Sequence, residues 1–415
     1  MIHRNQQRIS IHANHYNYLI KPNMNNQEQN YNFKCSICGN TDIHSIGYLN
    51  GKPYCRRCIS FKGEEVEHKP SYPKKAPIHL SYELSPEQKE LSDKLVENYK
   101  KGIDSLVFAV CGSGKTEISL KIIQYAIRCG EKVAFALPRR DVAIELYNRL
   151  NEIFKFNMVV CLYGGHTKDK EGDIVVLTTH QLYRYKQYFS LIILDEIDAF
   201  PFNNDPILHE MFYQSLCGHY VMMSATPSKE VISHFKGPNK DILRLDIRYH
   251  RHPLPVPVIK RGNIIVQYII LISKMRKFIN ENKKVFIFTS TIDKCEKLFK
   301  FLNLFFRGGN YVHSNRENRK EIIDSFRNNM YHYLVTTSVL ERGVTMRNLH
   351  VIIWQTDHKI YEKGVLIQIA GRVGRKIDVP TGEVIFLAKN ITNSMTDAIE
   401  DIKRSNRSLI DGKCL

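Results

Sequence analysis

SLVFAVCGSGKTEISLKIIQYAIR, residues 105–128, sets the architecture of the chain. An apolar run of strand length passes through a glycine-rich loop into an amphipathic helical segment, the context that a phosphate-binding loop needs. Gly112 and Gly114 let backbone N–H groups converge on phosphate oxygens around Ser113, and the helix N-terminus adds its dipole. Lys115 can reach β- and γ-phosphates and Thr116 can ligate magnesium, so ATP with Mg2+ is the expected ligand. The first glycine of the general pattern is Ala109 here, a mild departure because the GSGKT core carries the phosphate contacts. A glycine-rich turn with an incidental lysine is the plainer alternative, and the flanking strand and helix weigh against it.

The same style of alternation extends both ways. SLVFAV, KVAFAL, MVVCLY, DIVVLTT, SLIILDE and YVMMSAT read as buried strands whose continuous apolarity suits a parallel sheet covered on both faces. They make an ATP-binding unit over 81–240. Three prolines in RHPLPVPVIKRG interrupt the pattern, and 241–264 reads as a hinge. KVFIFTS, YLVTTSV, HVIIWQ and GEVIFLA then form a second α/β unit over 265–395, with 396–415 as a C-terminal helical tail. Residues 1–30, rich in Asn, Gln and His, read as a weakly ordered arm, and the proline-interrupted 63–80 as a linker.

The chain has 415 residues, enough for two or three folded units. Sixty Lys and Arg against 42 Asp and Glu leave a formal charge of +18, which favours polyanionic partners but is equally compatible with a merely soluble basic protein. No apolar run reaches membrane-spanning length and the N-terminus lacks a signal-like apolar region, so a cytoplasmic protein with reduced cysteines is expected.

LIILDEID, residues 191–198, ends a buried strand in two adjacent carboxylates. Asp195 can hold magnesium through its water shell, and Glu196 can position and polarise an attacking water. QIAGRVGRK, residues 368–376, carries Arg372 and Arg375, which on a helical turn face one side and can meet a γ-phosphate across a cleft. In isolation such a pair is more often a solvated basic face or a nucleic-acid contact.

Cys35-x2-Cys38 and Cys55-x2-Cys58, sixteen residues apart, have the spacing of a four-thiolate zinc site over 31–62. Four filled positions leave none for water, so one structural Zn2+ is expected. Arg56, Arg57, Lys52 and Lys62 with Tyr48, Tyr54 and Phe61 suit either a strand-binding surface or a partner dock.

GSGKT, DEID, SAT at 224–226, TTSVLERG at 336–343 and QIAGRVGR, in this order, resemble the motif series of superfamily 2 helicases of the DEAD/DEAH kind over residues 81–395. With the cysteine module ahead of them, the chain resembles the late competence ComFA family and, more weakly, the primosomal helicase PriA. The resemblance implies an α/β fold with two tandem RecA-like P-loop domains on parallel sheets plus the small zinc module. It implies that Gln88 in LSPEQ reads adenine and that Ser224 and Thr226 link ATP state to lobe movement. Arg139 in ALPRR, Thr179 in LTTHQL and Thr337 match positions that grip the nucleic-acid backbone, and Arg342, Gly343 and Gln368 match the coupling motifs. Their plainer readings are a helix-start glutamine, a capped strand end and ordinary strand threonines. Where many helicases carry Asp two residues after that glycine, this chain has Thr345.

The resemblance further implies an ATP-driven motor on single-stranded DNA that brings transforming DNA into the cytoplasm. Its implied partners are a membrane channel and a ComFC-like protein at the inner face of the cell membrane. A PriA-like duplex-unwinding helicase is the second reading. A zinc-dependent scaffold with a nucleotide switch is a third, opposed by the intact Lys115, Asp195, Glu196, Arg372 and Arg375.

Overall fold

The computed structural model describes residues 33–61, 63–341 and 346–410. The arm at 1–30 and the last residues of the tail lie outside the described residues. The N-terminal module is an antiparallel hairpin of β1 (Ile46–Leu49) and β2 (Lys52–Cys55), turned by Asn50 and Gly51 at φ 51° and 74°. Two successive left-handed residues give a turn whose twist matches the strands.

The first lobe runs α1 (Pro86–Lys100), β3 (Asp104–Ala109), α2 (Lys115–Arg128), β4 (Val133–Leu137), α3 (Arg140–Ile153), β5 (Val159–Leu162), β6 (Ile174–Thr178), β7 (Phe189–Leu194), α4 (Pro206–Ser215), β8 (Leu216–Ser224), α5 (Lys229–His234) and β9 (Lys240–Leu245). Its sheet has the order β5-β6-β4-β7-β8-β3-β9, and every pairing is parallel. The second lobe runs β10 (Val258–Arg261), α6 (Ile264–Asn280), β11 (Lys284–Phe288), α7 (Ile292–Asn303), β12 (Gly309–Val312), α8 (Arg319–Arg327), β13 (Tyr333–Thr336), β14 (Leu349–Ile353), α9 (Lys363–Ala370), β15 (Val384–Ala388) and α10 (Asn393–Ile410). Its sheet is also parallel, in the order β10-β15-β14-β11-β13-β12. Every residue of β4, β6, β14 and β15 is buried, which is why these strands read as unbroken apolar runs.

Three stretches differ from their sequence reading. The segment 241–264 contains most of β9 and all of β10, each an edge strand of its own lobe. Edge strands are half exposed, so KDILRL and VIKR lack the continuous apolarity that marked the others. Residues 64–80 form a strap fixed to the first lobe, with N–H groups of Val66, Lys74 and His79 donating to the carbonyls of Arg184, Ile127 and Ile153 at 2.7, 3.2 and 3.1 Å. Its buried apolar residues, Val66 and Ala76, stand ten positions apart among charged residues and prolines, and only Ile78 and Leu80 beyond them pack on the core, too short a run to announce the strap. Residues 396–410 are helical, but α10 begins at Asn393 and seats Met395, Ala398 and Ile402 in the core of the second lobe beside α9, so the stretch belongs to that lobe. Among the described residues no helix is long and apolar enough to cross a membrane.

Candidate active site between the lobes

The sheet order brings the C-terminal ends of β4, β7, β8 and β3 side by side, where an open parallel sheet places its ligands. The loop after β3 holds Gly112 and Gly114 at φ 85° and 84°, a left-handed backbone that L side chains rarely adopt, and α2 begins at Lys115. Ser113 is fully buried and its hydroxyl has no hydrogen-bond partner among the described residues, a donor aimed into the loop where phosphate oxygens would meet it. Thr116 follows in the first turn of α2.

Lys115 Nζ lies 3.0 Å from Asp195 Oδ1, joining the loop after β3 to that after β7. Burial alone would lower this ammonium, but Asp195, Glu196 and Asp198 outweigh it and hold it above the usual lysine value. The Glu196 N–H donates to Asp195 Oδ1 at 2.7 Å, and Glu196 has φ 57°. A non-glycine residue there costs energy and persists where its surroundings over-determine it, as at reactive sites. The donor set fits ATP with Mg2+: Thr116 and Asp195 offer oxygens that would hold the cation, whose chemistry would be to neutralise phosphate charge.

Gln88 caps α1 reciprocally with Ser85 and donates from Nε2 to the Ser113 carbonyl at 2.7 Å. Both ends of its amide are therefore engaged by the chain. Asp198, which the sequence reading passed over, is the hub of the site. It accepts from Ser224 Oγ and Thr226 Oγ1, each at 2.8 Å, and from Gln368 Nε2 of the second lobe at 3.5 Å. Gln368 also accepts from the Cys111 thiol at 3.1 Å.

Arg372 and Arg375 do not share a helical face. The helix α9 stops at Ala370, and Gly374 at φ 67° turns the chain away. Arg372 is buried and donates from Nε to the Glu341 carbonyl at 2.7 Å, while Arg375 Nε donates to the Gly371 carbonyl at 2.9 Å. Arg139 bridges the lobes, with Nη2 2.5 Å from Glu341 Oε1. Thr337 precedes the short turn at Ser338–Leu340, and Thr179 is buried at the start of the turn Thr179–Arg184. Arg342, Gly343 and Thr345 lie outside the described residues.

The four cysteine sulfurs lie within 4.8 Å of one another, and Cys38 and Cys55 are 3.8 Å apart. A tetrahedron of zinc–sulfur bonds of about 2.3 Å sets its sulfurs about 3.8 Å apart, so the cluster fits one zinc ion. Burial pushes the Cys38 thiol up to about 11 and the Cys58 thiol higher still, which a bound cation would reverse. The Phe61 ring packs on His180 and Tyr183 of the first lobe at 6.2 and 5.6 Å between centroids, which ties the module to that lobe.

Residues 85–234 match the DEAD/DEAH box helicase family, and residues 267–376 match the helicase conserved C-terminal domain. Over 390 residues, 90% of each chain, the protein is 32% identical to the competence protein ComFA of Streptococcus pneumoniae. It belongs to the ComFA family. The ComFA of Bacillus subtilis is also 32% identical, over 92% of this chain and 87% of that one. The fold is that of S. cerevisiae Dbp5 bound to RNA and ADP BeF3 (TM-score 0.58, 16% identity, 78% of this chain and 92% of that one). RecG bound to a three-way DNA junction shares it (TM-score 0.56, 20% identity, 81% and 48%). As a ComFA-family protein the chain is an ATP-dependent DNA helicase or translocase of competence. In it, Asp198→Ala is expected to leave ATP affinity within about threefold while cutting DNA-stimulated turnover about tenfold, because hydrogen bonds to a charged group worth roughly 1.5–3 kcal/mol each are lost, those of Ser224 and Thr226 within the first lobe and that of Gln368 across to the second. Steady-state turnover and nucleotide titration check it, and unchanged stimulation would remove Asp198 from the coupling path.

Proposed function

We propose that this chain is a translocase that hydrolyses ATP between its lobes to pull single-stranded DNA into the cytoplasm during competence. The observation that carries the reading is a groove of about 1480 Å3 lined from both lobes by nine Lys and Arg against four Asp and Glu. Arg140 and Tyr163 come from the first lobe, and Arg316, Arg319 and Arg347 from the second. The Arg140 guanidinium lies over the Tyr163 ring at 4.6 Å, and Arg316 over Tyr311 at 4.0 Å. Cations interleaved with aromatic faces hold a backbone and stack bases without reading sequence.

Lys115 and the loop Gly112–Gly114 bind the phosphates, Thr116 and Asp195 hold magnesium, and Glu196 positions the attacking water. Arg372 and Arg375 serve the γ-phosphate, Gln88 the adenine, and Ser224, Thr226, Gln368, Arg342 and Gly343 the coupling. Arg139, Thr179 and Thr337 meet the DNA backbone, and Arg139 does so after releasing Glu341. Cys35, Cys38, Cys55 and Cys58 hold one structural zinc. A membrane channel and a ComFC-like protein are the partners at the inner membrane face.

ATP turnover with single-stranded DNA, blunt duplex and RNA, beside a strand-displacement assay, tests the proposal. Turnover is expected to rise with single-stranded DNA and to lose that stimulation steeply with salt, as phosphate contacts release counterions. Equal stimulation by RNA, or duplex unwinding without single-strand stimulation, would overturn it.

A further inference from the structure

We propose that Arg248, with Tyr249 and His250, is a positioning clamp by which the connection between the lobes sets residues 371–375 against the phosphate loop. The chain passes from β9 in the first lobe to β10 in the second through residues 246–257. Arg248 stands early in that passage yet is 2% exposed. Its Nε donates to the Cys111 carbonyl at 3.1 Å, Nη1 to the carbonyls of Val373 and Gly374 at 2.8 Å each, and Nη2 to the Gly371 carbonyl at 3.1 Å. One planar fork thus holds the phosphate loop and the arginine-bearing turn at once.

Every one of these acceptors is a backbone carbonyl. The carbonyls of the turn after α9 carry the partial negative charge of a helix C-terminus, which suits a guanidinium. A buried arginine is costly unless its donors are satisfied, and a geometry with four spaced acceptors suits Arg and not the point charge of Lys. Burial and the neighbouring Arg375 pull this guanidinium down to about 10, which leaves it charged at neutral pH. The next two residues repeat the bridge. The Tyr249 N–H donates to the Gly112 carbonyl at 3.4 Å and its hydroxyl to the Arg375 carbonyl at 3.2 Å. His250 Nε2 is 3.0 Å from the Gly374 carbonyl, so this nitrogen carries the proton.

The clamp touches the backbone on either side of Arg372 and at Arg375 itself; the Arg375 side chain shares the Gly371 carbonyl with Arg248, while that of Arg372 turns to the Glu341 carbonyl. Its effect is on where those side chains start from. Reacting geometry that slips by an ångström loses much of its rate, so a clamp of this kind acts on turnover more than on binding. The inference rests on the reading that Arg375 serves the γ-phosphate.

ATP turnover of the full chain at saturating single-stranded DNA, for Arg248→Lys, Arg375→Ala and the pair together, tests it. Arg248→Lys is expected to lower kcat about tenfold with KM within about threefold, and the pair to turn over no more slowly than Arg375→Ala alone, since residues acting as a unit are not additive. Full turnover in Arg375→Ala would refute the arginine reading and the clamp with it. A loss in Arg375→Ala that multiplies with that of Arg248→Lys would refute the clamp alone. If Arg248→Lys does not fold, Tyr249→Phe takes its place in the cycle, because it removes one partly exposed hydroxyl. It is expected to lower kcat about twofold without adding to Arg375→Ala, and either no loss or a multiplied one overturns the clamp.

Discussion

Lys115→Ala is expected to lower ATP turnover by about a thousandfold, with zinc content unchanged, because a preorganised cation facing developing phosphate charge is worth several kcal/mol in a closed site. Two effects combine in this substitution. The ammonium that the loop offers to phosphate disappears, and Asp195 loses the cation 3.0 Å away that balances it. An aspartate left uncompensated beside Glu196 and Asp198 also repels the phosphates that should enter. A turnover assay beside metal analysis checks both halves, and residual turnover within about tenfold of the parent protein would show that phosphate charge is met elsewhere.

Cys35→Ser combined with Cys38→Ser is expected to take zinc from one ion per chain to none and to unfold the module, since a structural zinc site contributes roughly 10–16 kcal/mol of apparent binding energy at neutral pH. The damage extends past the hairpin. Phe61 of the module packs on Tyr183 of the first lobe, and Phe33 and Ile37 lie against the apolar cluster that module and lobe share, so unfolding of the module uncovers apolar surface there and lowers the melting temperature of the whole chain. ATP turnover at moderate temperature should remain within about threefold of the parent protein, because Lys115 meets Asp195, and Asp198 meets Ser224, Thr226 and Gln368, all of them in the two lobes. Inductively coupled plasma analysis and a thermal melt read the first two effects. Turnover lost together with zinc would make the module part of the motor itself.

Much of this site was legible because its chemistry is contiguous. GSGKT needs two glycines, a lysine and a threonine in one turn, and the cysteine pairs need their ligands two residues apart. The buried strands were legible because parallel strands covered on both faces must be apolar throughout. Edge strands β9, β10 and β12 were not, since one side of each meets solvent and the pattern dilutes. The pairing of Arg372 and Arg375 on one helical face failed for a local reason: α9 ends at Ala370, capped by Gly371 ahead of both arginines, and Gly374 turns the chain between them.

Residues within a turn of each other carry their spacing in the chain, and so the glycine-rich loop, the carboxylate pair, the two cysteine pairs and the two-lobed α/β plan could be read directly. Asp198 joining Ser224, Thr226 and Gln368, Arg139 meeting Glu341, and Arg248 spanning Cys111 to Gly374 left no such trace. Nothing in the sequence around any of them names its partners, which are assigned by which strand ends the sheet order sets side by side and by how the two lobes face each other.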